Sequence, residues 1–109
     1  MMQNILFICS RNQWRSPTAE AIYKNCEGIQ VRSAGTEPSA RIKVSAKLIE
    51  WADVIFVMER KHRERLLMKF PGEMEGKQVV NLDIPDEYGF MDEELIDTIR
   101  SSVDPYLSE

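Results

Sequence analysis

The sequence predicts an α/β fold of three layers, with a four-stranded parallel sheet in the order 2-1-3-4 and helices on both faces. Three observations predict it. Short apolar runs rich in β-favouring residues, ILFI at 5–8 and DVIFVM at 53–58, read as strands buried on both faces. Segments whose apolar residues recur with helical period lie between the strands. Strands alternating with helices make a parallel sheet with right-handed crossovers.

Taken in order, the first strand is expected over 4–9 and the first helix over 17–26. Ser16 is a suitable N-cap and Pro17 suits the first helical position. Ala19, Ile22, Tyr23 and Cys26 then recur on one apolar face, which puts Cys26 in the core. Gly28 stops that helix. A short alternating strand follows over 29–33, then a loop over 34–41 with Gly35 and Pro38. The second helix is expected over 44–52, with Val44, Leu48 and Trp51 on one face, and the third strand over 53–58. The third helix, 60–70, turns Leu66, Leu67 and Phe70 inward and ends at Pro71 and Gly72. The fourth strand is expected over 78–82, a loop over 83–90 and a final helix from 91 to about 103. That helix uses Leu95, Ile96, Ile99 and Val103, with Pro105 as its terminator. His62, in the run Arg60-Lys61-His62-Arg63, is read as a surface residue. Glu59 and Glu64 interrupt that basic run, which suits a salt-bridged face. The six methionines are read as core filler.

Composition narrows the function. A chain of 109 residues suits one domain, 1–109, with one core. A net charge of −4 and a pI near 5.1 argue against a general nucleic-acid binder. No apolar run approaches the ~20 residues of a membrane span, and a signal peptide is not apparent. Two cysteines do not make a disulfide scaffold. On the helix expected here, Cys26 would lie ~13 Å beyond Pro17 along the axis, too far for a bridge to Cys9. A cytoplasmic protein with free thiols is expected.

The chemistry concentrates in Asn4–Tyr23, NILFICSRNQWRSPTAEAIY. Cys9 ends the first strand, a polar loop follows, and Arg15 and Ser16 lead into the helix. A loop closing on a helix N-terminus gathers backbone N–H groups into an anion site. Cysteines in such electropositive settings have pKa values of roughly 3.5–7.5. Arg15 offers a planar fork for two phosphoryl oxygens, and a cation at a helix start suggests a bound anion. Ser16 can donate to the thiolate and make it a better leaving group. The phosphate-binding loop is therefore Ser10, Arg11, Asn12, Gln13, Trp14, Arg15 and Ser16, around a Cys9 nucleophile. Cys9 also lies at the carboxyl end of its strand, beside the switch point of a flavodoxin-like sheet, where ligands bind. The sober alternative is a buried structural cysteine.

The Cys-x5-Arg-Ser pattern between strand and helix resembles the low-molecular-weight protein tyrosine phosphatase family. SPTAEAIY, Ser33-Ala34-Gly35-Thr36 and ADVIFVMER resemble later landmarks of that family. The resemblance implies a phosphomonoester hydrolase, metal- and cofactor-free, working through a phosphocysteine on a phosphotyrosine protein or a small phosphomonoester. It also implies an Asp general acid from a loop before the last helix. Asp86, followed by Tyr88 and Gly89, is the best match, with Asp83 as the rival. Asp104-Pro105-Tyr106 matches literally but follows the last helix. Tyr88 either lines the cleft or supports the last helix, and Trp14 either packs under the loop or forms its rim.

The chain departs from the family at Arg11, where the family usually has Gly, and at Trp14, where many members carry a second Cys. If position 11 needs a positive φ, Arg is costly there. Arg11 is otherwise a solvated charge or an added attraction for phosphate. Asn12 keeps the family residue. Between Thr36 and Trp51 about thirty residues of a family insert are lacking, judged from overall length. Two further function classes remain open at this point. One is a phosphate-recognition domain without turnover. The other is a redox or phosphocarrier protein of similar fold, for which a disulfide relay would need further cysteines.

Overall fold

A computed structural model describes residues 2–107. The apolar run after Gln3 becomes the central strand β1 (Gln3–Cys9), parallel to β2 (Ile29–Gly35) on one side and β3 (Val54–Val57) on the other. β4 (Gln78–Asn81) pairs with β3, so the sheet order is 2-1-3-4, as predicted. The two inner strands bury both faces, because successive side chains point to opposite sides. Ile5, Phe7 and Cys9 join one core with Ala19, Tyr23, Leu95, Ile99 and Val103. Leu6 and Ile8 join the other with Ile49, Leu66 and Met74. Helices α1 (Arg15–Tyr23) and α5 (Glu93–Leu107) cover the first face. On the second lie α2 (Ala46–Trp51), α3 (Arg60–Lys69) and the single turn α4 (Pro71–Met74). Phe7 stacks on Tyr23 and Phe56 at ring-centroid distances of 6.0 and 5.4 Å, which ties α1 to the sheet centre.

Several expectations are corrected. The first helix runs over 15–23, not 17–26. The Trp14 carbonyl accepts from both the Thr18 N–H (3.0 Å) and the Thr18 hydroxyl (2.6 Å), closing the first turn early. Ser16 is therefore inside the helix and not its cap. At the other end the helix stops before Cys26, which is exposed on the turn leading to Gly28 (φ 85°). In α2 the buried residue is Ile49, with Leu48 and Trp51 only half-buried. Within α3 His62 and Leu66, four apart on one face, turn inward, and Phe70, just past its end, packs half-buried against the same core as expected. Leu67 is exposed and His62 is completely buried. Pro71 opens α4 instead of merely ending α3, a position that suits its missing N–H. Pro105 lies inside α5, where Ser101, one turn earlier, is exposed and can leave its carbonyl to water. Of the methionines, Met58 and Met74 are core, whereas Met2, Met68 and Met91 are exposed. Met1 lies outside the described residues.

Candidate active site

The loop after β1 is shaped from outside. The carbonyls of Cys9, Ser10 and Arg11 accept N–H groups of Thr36 (3.0 Å), Glu37 (2.9 Å) and Arg41 (3.0 Å). The Asn12 carbonyl accepts Arg41 Nε at 3.1 Å. Four successive carbonyls are thus drawn towards the 36–41 segment, and the Asn12 N–H turns inward to the Cys9 sulfur, as in an anion nest. Gly35 permits this contact. A Cβ there would stand 2.5 Å from the Ser10 carbonyl oxygen and 2.7 Å from Ala40 Cβ. Asn12 takes the one left-handed position in the loop (φ 56°), which Asn tolerates well. Arg11 does not have a positive φ, so its side chain causes no strain of that kind.

Cys9 Sγ sits at the centre of the turn. Asn12 N–H donates to it at 3.3 Å and Ser16 Oγ lies 2.9 Å away. The direction of the second contact follows from the network behind it. The Ser33 hydroxyl donates to Glu20 Oε1 (2.5 Å), so Ser33 accepts from Asn12 Nδ2 (2.9 Å). The same Nδ2 donates to Ser16 Oγ at 2.8 Å. The Ser16 hydroxyl hydrogen then has two acceptors within reach, Cys9 Sγ at 2.9 Å and the Ala34 carbonyl at 3.5 Å, and a thiolate at the nearer position draws it to sulfur. Both hydrogens presented to Sγ stabilise negative charge there.

Arg15 is 2 % exposed despite its charge. Its Nη1 donates to Glu59 Oε2 at 2.5 Å and to the Ile84 carbonyl at 2.8 Å, and its Nε stands 3.7 Å from Asp86 Oδ1. The opposing cation at the helix start is thus offset by two carboxylates of the protein itself. Burial alone would raise the Glu59 carboxyl, but the hydrogen bond and charge of Arg15 outweigh it and hold Glu59 below the usual carboxylate range.

Cys9, Arg11, Gln13, Trp14, Arg15 and Asp86 line one small pocket. Trp14 is 44 % exposed on its lip. Tyr88 packs instead against the core cluster of α1 and α5. Asp83 lines a different depression with Glu59, Lys61 and Pro85, and its N–H and carboxylate are engaged by the Asn81 side chain. Ser10 and Asn12 are buried, and Ser10 Oγ meets His62, which is buried here and not on the surface as expected. His62 Nδ1 accepts the Glu59 N–H (3.0 Å), so Nε2 carries the hydrogen and donates to Ser10 Oγ at 2.9 Å. One capping box at the start of α3 therefore holds both the guanidinium and the loop. The sequence signal for it was Glu59 three residues before His62, a capping-box spacing with His in place of Glu or Gln. Glu20 and Ser33 carried no such signal. Among the described residues no group of three or more His, Cys, Asp or Glu side chains is placed to hold a metal ion.

Burial, and next the Arg15 charge, depress the His62 pKa to about 4 from the ordinary 6.5. A depressed folded value means the unfolded chain binds the proton first. Stability from this group is complete above pH 6.5 and declines as the pH falls from there to about 4. The full loss amounts to about 3 kcal/mol. Urea unfolding across that interval is expected to show the decline, and His62→Asn to flatten it. An unchanged slope in the variant would assign the decline to other groups.

A thiol and a buried guanidinium line one pocket at the carboxyl end of the central parallel strand of a flavodoxin-like sheet, the candidate site of a cysteine-based phosphatase. A family model for low molecular weight phosphotyrosine protein phosphatase matches residues 4–50. The chain is 31% identical to the low molecular weight protein-tyrosine-phosphatase Wzb of Escherichia coli (strain K12), across 81% of this chain and 80% of Wzb. It is 30% identical to a protein-arginine-phosphatase of Geobacillus stearothermophilus, across 65% of this chain and 64% of that protein, so it spans slightly less than two thirds of the latter's length. The chain belongs to the low-molecular-weight protein-tyrosine-phosphatase family, a family of phosphoric monoester hydrolases. The fold agrees. The phosphatase SP-PTP of Streptococcus pyogenes superposes with a TM-score of 0.81 at 17% identity, covering 97% of this chain and 91% of that one. The arginine phosphatase YwlE, in a mutant form with a phosphorylated active-site serine, superposes with a TM-score of 0.74 at 21% identity, covering 98% and 97%. No described helix is long and apolar enough to cross a membrane.

Proposed function

We propose that this chain hydrolyses phosphotyrosine in proteins through a phosphocysteine at Cys9. The observation that carries the reading is the Cys9 sulfur, 2.9 Å from the Ser16 hydroxyl, in one pocket with the buried Arg15. Cys9 Sγ attacks phosphorus as the P–O bond to the tyrosyl oxygen breaks. The loop N–H groups and the N–H groups of Arg15 not engaged by Glu59 and Ile84 hold the equatorial oxygens. Asp86 protonates the leaving phenolate, then takes a proton from the water that attacks the S–P bond. Ser16 then stabilises the departing thiolate. Trp14 offers an aromatic face at the lip for the tyrosyl ring. The Wzb name supports the tyrosyl ester as substrate.

The test is metal-free hydrolysis of p-nitrophenyl phosphate under reducing conditions, with rapid acid quench and mass spectrometry. Turnover, with one phosphoryl group caught on the Cys9 peptide, is the expected result. Phosphate binding without turnover would instead identify a recognition domain.

The assignment of the acid has its own check. Asp86 lines the Cys9 pocket, whereas Asp83 does not. Asp86→Asn is expected to slow phosphotyrosine hydrolysis about 10²-fold or more, the usual range for a general acid. The loss should be smaller for p-nitrophenyl phosphate, whose leaving group needs less help. Asp83→Asn should leave both rates near those of the parent. The reverse ranking would reassign the acid.

A further inference from the structure

A second groove opens beside the catalytic pocket. Pro17 and Ala21 of α1, Lys24, Arg41 and Phe90 line it, and Gln13 belongs to both depressions. We infer that this groove receives the stretch of substrate polypeptide next to the phosphotyrosine and selects an acidic side chain there. The inference rests on the phosphatase reading above.

Three features carry it. Gln13 lines both the groove and the pocket, so the two lie side by side and a chain whose phosphotyrosine enters the pocket passes over Gln13 to the groove. Its apolar wall is held in place. Phe90 is 55 % exposed, and next to it Met91 takes a left-handed backbone (φ 61°) and donates its N–H to Thr18 Oγ1 at 2.9 Å. Strained backbone of this kind persists where surrounding contacts enforce it, and such positions cluster at ligand-binding sites. The bond to Thr18 ties the Phe90 segment to α1 and keeps an exposed aromatic in the groove that Pro17 and Ala21 also line.

The charge on the groove points the same way. The molecule carries −4, yet both cations here, Lys24 and Arg41, are exposed. The Glu20 carboxylate also borders the groove and keeps its charge while it accepts the Ser33 hydroxyl, so two cations stand against one anion there. Arg41 is further fixed by its bond to the Asn12 carbonyl. Reach sets the spacing. From Pro17 to Lys24 the helix rises about 10 Å, which an extended peptide covers in about three residues. An Asp or Glu two to four residues from the phosphotyrosine would meet Lys24.

The experiment compares two phosphotyrosyl peptides, one with glutamates two to four residues to either side and one with glutamines there. The parent and the variants Lys24→Glu and Phe90→Ala are assayed on both, with p-nitrophenyl phosphate as control. The parent is expected to favour the acidic peptide in kcat/KM by roughly two- to fivefold, the scale of an exposed ion pair, less so at high salt. Lys24→Glu should abolish or invert the preference, and Phe90→Ala should weaken both peptides, with hydrolysis of p-nitrophenyl phosphate unchanged in both variants. Equal kcat/KM for the two peptides in the parent, or an equal loss on p-nitrophenyl phosphate, would overturn the groove assignment while leaving the phosphatase reading intact. Failure of the parent on every phosphate ester would overturn the phosphatase reading. Calorimetric binding of the same peptides to the parent and Lys24→Glu then still decides whether the groove prefers the acidic one.

Discussion

Cys9→Ser is expected to bring p-nitrophenyl phosphate hydrolysis to background while leaving the fold and phosphate binding in place. Cys9 is 3 % exposed at the end of β1, and serine is smaller and keeps a donor and an acceptor in that place. Asn12 N–H and Ser16 Oγ, now at 3.3 and 2.9 Å from sulfur, can both bond the new hydroxyl, so the loop retains its shape. Reactivity is what is lost. Sulfur is intrinsically far more nucleophilic than a hydroxyl oxygen, whereas an alcohol needs an adjacent base to activate it. His62, the one imidazole in the chain, is already spent on Ser10 and Glu59. Steady-state kinetics and phosphate titration on the purified variant measure the two outcomes separately. Retained hydrolysis would place the chemistry at another residue.

Arg15→Lys is expected to cost about 10²–10³ in kcat, the scale of removing one preorganised donor to a developing charge. The guanidinium serves Glu59 and the Ile84 carbonyl through Nη1 while its other N–H groups face different directions. A lysine keeps the charge, so Glu59 is not left without a cation. Its single ammonium cannot reach Glu59, Ile84 and two phosphoryl oxygens at once. Phosphate should therefore bind more weakly, and the thermal midpoint should fall, because a 2 % exposed side chain is replaced by one that fills the site poorly. A near-parent kcat in Arg15→Lys would mean that the fork does not hold the transition state. Arg15→Ala is the harsher comparison, since an uncompensated Glu59 beside the loop is destabilising in itself.

The parts of this protein that were legible in the sequence are those governed by local pattern. A continuous apolar run of this length, bounded by turn residues, reads as a buried strand, so β1 and β3 and the parallel order followed from ILFI and DVIFVM. The spacing of Cys9, Arg15 and Ser16 across a strand–loop–helix junction identified the candidate site, because anion binding at such a junction is a property of backbone geometry. Element ends were less legible. Whether α1 began at Arg15 or Pro17 depended on the Trp14 carbonyl accepting two donors from Thr18. Whether it reached Cys26 depended on the turn to Gly28.

Contacts between segments far apart in the chain were decided by tertiary structure alone. His62 reads as one more polar residue in ERKHRER, yet it is buried because the start of α3 packs on the loop 52 residues earlier. The partners of Arg15, 44 and 69 residues away, and the cradle of 36–41 amides around the loop leave no periodic trace in the sequence. A periodicity reports which face of an element is apolar. It does not report which polar group on another element will meet it, and in this chain the geometry of the candidate site is set by those polar meetings.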